Sequence, residues 1–61
     1  MIWTRFKDQE PDMMCVVIVR DTAGERFKAT AVVGTLVDAG HSGVVVSPDA
    51  EWMYWNDYNL L

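Results

Sequence analysis

The chain has 61 residues, 51% of them apolar, and nine acidic against five basic side chains, a formal net charge of −4. That is enough for one small domain spanning residues 1–61. At this length a multidomain enzyme is not expected, and a single cysteine with a single histidine leaves neither an intrachain disulfide nor a structural zinc site, against disulfide-rich secreted modules and zinc fingers.

Ile2–Phe6 reads as an edge strand, stopped by the turn signals around Asp8 and Pro11. From Met14 to Arg20 the run is β-branched and apolar on both faces, as expected of an interior strand covered on each side. Asp21-Thr22-Ala23-Gly24 fits a type I turn ending in a left-handed glycine, so a hairpin is expected. The chain returns through Glu25–Val33, where charged and apolar residues first alternate with period two. Gly34 is the expected site of a bulge or bend, beyond which Thr35-Leu36-Val37 continues the strand. Ala29, Val32, Val33 and Leu36 also match a helix face, but the β-branched residues and central glycine favour a strand. A turn over residues 38–43 then delivers a short strand, Gly43–Ser47. Ser47-Pro48-Asp49-Ala50 suits either a helix N-cap followed by proline or a type I turn. Glu51–Trp55 is read as a short last strand, with a helix as the alternative. The fold class is all-β or mostly β: a small antiparallel meander sheet of four to five strands, with room for a short C-terminal helix.

Trp3, Asp8, Pro11, Val17 and Val19, followed by the pair Trp52-Met53, have a spacing similar to that of a small phage and prophage family of unknown function, DUF551. Its members open with a tryptophan, lead through an aspartate and a proline into a valine-rich strand, and close with tryptophan-methionine. The resemblance spans most of the chain. It implies a phage-borne accessory role and supplies no catalytic or binding residues to carry over.

Charge is unevenly distributed. Arg5, Lys7, Arg20, Arg26 and Lys28 all fall in residues 1–30, where five acids balance them, whereas residues 31–61 hold Asp38, Asp49, Glu51 and Asp57 with no lysine or arginine. Phosphate backbones require clustered cations, so nucleic acid is not an expected partner. Met1–Arg5 meets charge without the apolar run of a signal peptide, and no stretch approaches the roughly 20 apolar residues that span a bilayer. A reduced, cytoplasmic setting in a host cell is therefore expected, with no membrane partner. For so short a chain, apolar burial and conformational entropy nearly cancel, and self-association is the remaining common staple.

Cys15 and His41 are the only candidates for nucleophile and base, and their surroundings, an apolar run and a glycine-rich turn, suit a buried thiol and a solvated imidazole better. Asp8 with Asp12, and Asp49 with Glu51, are loop acids with no apolar pocket implied nearby. Gly40-His41-Ser42-Gly43 has neither the spacing nor the lysine of a phosphate loop. No catalytic residues, metal ligands or cofactors are expected. The stronger signal is aromatic: Trp3, Phe6, Trp52, Tyr54, Trp55 and Tyr58 occupy the two ends of the chain and form one patch if those ends meet. Such rings either plug a small core or anchor an interface. The expected function is a small accessory protein that binds a host protein and occludes it. In that reading Trp52, Tyr54 and Trp55 dock, while Asp49, Glu51 and Asp57 form an acidic rim for a basic partner surface. The alternatives are a structural homo-oligomer without an external partner and a small-ligand sequestering protein with its pocket between subunits.

Overall fold

The structure, a computed structural model, describes residues 2–60. It is mostly β. Six strands, β1 (Thr4–Arg5), β2 (Val16–Arg20), β3 (Arg26–Val33), β4 (Leu36–Ala39), β5 (Ser42–Val45) and β6 (Glu51–Tyr54), precede one short helix, α1 (Trp55–Asn59). All neighbouring strands are antiparallel, in the order β1-β6-β2-β3-β4-β5.

The β2–β3 hairpin forms as its turn chemistry dictates. Asp21 Oδ1 accepts from the Ala23 and Glu25 amides at 3.0 and 2.9 Å, and Gly24 takes φ +88°, a conformation that costs a glycine little. Gly34 departs from expectation. The register shift lies one step earlier, between Ala31 and Val33, and Gly34 with Thr35 forms a two-residue reverse turn that pairs Val33 with Leu36. Positive φ at Gly34 but not at Thr35 is the pattern of a type II′ turn, whose twist matches that of the flanking strands. The chain therefore reverses where a continuing strand was expected. Between β4 and β5, Gly40 and His41 both take positive φ, as in a type I′ turn.

β2–β5 is the expected meander. The added feature is long-range: Ser47 to Ala50 turns, with the Ala50 amide donating to Ser47 O at 2.9 Å and the Asp49 amide to Ser47 Oγ at 3.1 Å, which selects the turn over the N-cap. β6 then returns to the far side of β2, pairing Val17 with Tyr54 and Val19 with Trp52. β1 adds to β6, and the Phe6 amide extends that ladder to Ala50 O at 3.0 Å. Six strands result, against the four to five expected.

Alternation divides the sheet. One face buries Phe6, Val17, Val19, Ala29, Val37, Val46, Ala50 and Trp52, with Phe27, Ala39, Val44 and Tyr54 packed around them. On the opposite face the Ile18–Met53 pair is buried where α1 packs on β2 and β6. β2 is thus covered on both sides over Val17–Val19, whereas Val16 is exposed and Met14, expected within the strand, lies before it and is also exposed. Among the described residues no polar or charged side chain is buried, and no helix is long and apolar enough to cross a membrane.

Candidate binding face

The expected docking residues do not share one surface. In a strand, side chains alternate, so Trp52 and Tyr54 point to the core face while Met53 points to the other. Trp52 is only 5% exposed; its Nε1–H donates to Gln9 O at 2.8 Å, and its ring meets Tyr54 edge to face at 4.9 Å. The Tyr54 hydroxyl in turn accepts from the Asp12 amide at 3.2 Å. These two rings fasten the loop between β1 and β2 to the sheet. Trp55 opens α1, and the helix carries it to the opposite face, half-buried beside Tyr58.

The acidic rim is also dispersed. Asp49 pairs with Lys7 at 2.9 Å in the loops. That hydrogen bond first, and then the Lys7 charge, hold the Asp49 carboxyl below its ordinary 3.8. Glu51 Oε1 accepts from Arg20 Nε and Nη2 at 3.1 and 2.8 Å, leaving its charge compensated. Asp57 is exposed on α1.

The structure gathers a different set. Arg20 stands directly across from Arg26, and Ile18 across from Lys28, so the three cations share the outer face of the β2–β3 hairpin. Like charges opposed on one face repel. Here Glu51 and the rings offset that repulsion. The Arg20 guanidinium lies 4.2 Å from the Trp3 ring centroid, Arg26 lies 5.5 Å from the same ring, and Lys28 Nζ is 4.4 Å from Trp55. Tyr58 joins the two tryptophans, at 6.0 Å from Trp3 and 5.9 Å from Trp55, and accepts from Arg26 Nη1 at 3.3 Å. Each cation–ring pair at such a site contributes about 0.5–1 kcal/mol. The ends of the chain do meet here, through Trp3 and Tyr58. Beside this cluster lies an open hollow of about 310 Å³ lined by Cys15, Val16, Lys28, Tyr54, Trp55 and Asn56.

The cations and the C-terminal rings lie far apart in the chain, and nothing in the local sequence joins them. The signal was present in the expected hairpin: once Asp21–Gly24 is the turn, Arg20 must oppose Arg26, and Lys28 follows two residues on. Cys15, at the entry to β2, and His41, in the β4–β5 turn, have β3 between them, and no side-chain hydrogen bond joins them. Among the described residues no cluster of three or more potential metal ligands occurs. Comparison of the chain with protein-family models, curated proteins and solved structures returned no match.

Proposed function

We propose that this chain is a small non-enzymatic accessory protein that binds another protein and occludes its surface, docking through the face built from Trp3, Trp55, Tyr58, Arg20, Arg26 and Lys28. The observation that carries the reading is composition at one place: tryptophan, tyrosine and arginine are the residues that dominate binding energy at protein interfaces, and this face concentrates them beside a hollow that Trp55 and Lys28 line. The rings are held in place by their cation partners, so little ordering entropy remains to be lost on docking. With Arg26 and Lys28 both exposed and only Glu51 engaged with Arg20, an acidic segment of the partner is favoured, in place of the basic surface suggested by the C-terminal acids. The role is that of a phage-type accessory protein in host cytoplasm, as the family resemblance implies.

The test is a partner captured with the wild-type chain and then measured against Arg26→Glu/Lys28→Glu. Association should slow, with affinity falling by about tenfold or more, while Asp49→Asn, away from the face, leaves it unchanged. A partner bound equally well by the double variant would place the docking surface elsewhere.

A further inference from the structure

The two outer strands of the sheet are protected unequally. β1 is two residues long and carries the exposed Arg5, both devices that discourage edge-to-edge pairing. β5, at the other end, is Ser-Gly-Val-Val, without charge, proline or bulge. Its hydrogen-bonding direction follows from the residue beyond it. The Val46 amide donates to Thr35 O at 2.9 Å, so Val44 and Ser42, of the same parity, turn their backbone groups toward β4. Gly43 and Val45 turn theirs away from the sheet.

The side chains on this edge form a matched pair of features. Val45 is 74% exposed and stands beside Leu36 and the 64% exposed Val33 in one outward row. Two residues earlier on the same face, Gly43 presents bare backbone between its cross-strand partner, the exposed Asp38, and Leu36, whose Cδ1 lies 3.6 Å from where a Cβ would be. A projection and a gap thus sit on one strand at a spacing of two.

We propose that β5 pairs antiparallel with β5 of a second copy of this chain, about a two-fold axis midway between the two Val44 residues, so that each Gly43 lies opposite the other copy's Val45. In this register the outward N–H and C=O of Gly43 and Val45 bond to their counterparts, and each Val45 side chain enters the space beside the other copy's Gly43, against Leu36. A second copy is the occupant because one two-fold operation fills both gaps with both projections at once. A foreign strand has no such reciprocal match. β5 itself is uncharged, so the paired strands oppose no like charges, and Asp38 on β4 meets Val45 of the other copy, not another carboxylate, although each chain carries −4. The axis is perpendicular to the sheet, which leaves the Trp3 and Trp55 faces of both copies on the same side and makes the dimer bivalent toward a repeated partner.

The experiment uses sedimentation equilibrium and amide exchange of the full chain. Between about 10 μM and about 1 mM, wild type should pass from monomer to dimer, with protection appearing at the Gly43 and Val45 amides. Gly43→Pro removes an amide that points away from β4, so the monomer keeps its β4–β5 ladder while dimerisation weakens by about tenfold or more. Val45→Lys, which adds charge to the edge, should do the same. The wild-type exchange measurement stands even if a variant misfolds. A chain still monomeric at the upper concentration, a dimer with Gly43 and Val45 unprotected, or a dimer unaffected by Gly43→Pro would each overturn the assignment.

Discussion

At the scale of single residues, Trp52, one of the rings that either plug a core or anchor an interface, belongs to the core. It is buried among Phe6, Val17, Val19 and Ala50, and its indole N–H holds the carbonyl of Gln9. Trp52→Ala should cost about 3–5 kcal/mol, which for a domain of this size approaches its whole stability. Trp52→Phe keeps most of the apolar contact and loses the hydrogen bond, so it should cost only about 1 kcal/mol. Urea denaturation of the two variants separates these contributions, and an alanine variant as stable as wild type would contradict the burial. Asp49 offers a second measurement. Its carboxyl lies below the ordinary 3.8 because the Lys7 ammonium hydrogen-bonds to it and attracts its charge. A depressed folded value adds stability that is present above 3.8 and disappears as pH falls through the folded value. Both side chains are well exposed, so acid unfolding should change little in Lys7→Gln. The expected sign is read directly by NMR: an Asp49 titration midpoint below 3.8 that moves back up in Lys7→Gln.

At the scale of elements, turn chemistry decides which hairpins are robust. Gly40 and His41 both occupy the left-handed region, which glycine adopts freely and an L side chain does not. Space is no obstacle at Gly40, where a Cβ would meet nothing within 4 Å, so Gly40→Ala isolates the backbone term, about 1–2 kcal/mol of destabilisation. His41→Gly should have the opposite sign, raising stability by about 0.5–1 kcal/mol. Thermal melts of the pair test both signs together. The helix α1 stands at the other extreme. Five residues without a side-chain N-cap bond do not hold a helix in water, and its persistence comes from Trp55 and Tyr58 packing against Trp3 and the β2–β3 cations.

At the scale of the molecule, stability is graded across the sheet. β2 lies between β6 and β3 with Val17 and Val19 fully buried, whereas β5 and α1 sit at the margins with mostly exposed or half-buried residues. Amide exchange should therefore be slowest in β2 and its partner residues on β3 and β6, opening only with global unfolding, and fastest in α1 and the outward amides of β5 in the monomer. Uniform protection across the sheet would show instead that opening is a single event. The pairing of β6 with β2 and of β1 with β6 joins distant parts of the chain, so closure of this half must follow the β2–β5 meander or cost more loop entropy.

The amino-acid order carried the strand periodicity, the β2–β3 turn, the glycine-rich turn before β5 and the two-sided burial of β2, because each is written in neighbouring residues: β-branching, alternation, an Asp side chain reaching its own turn, a glycine at positive φ. Gly34 was legible as a break but not as a reversal, since a bulge and a two-residue turn both call for glycine and only pairing of Val33 with Leu36 distinguishes them. The docking of β6 beside β2, the division of Trp52 and Tyr54 from Trp55, and the placement of Arg20, Arg26 and Lys28 against Trp3 and Trp55 were decided by tertiary structure. Their physical cause is burial between segments far apart in the chain. No local pattern specifies which strand covers the open side of β2, and that choice sets which face every ring and charge occupies.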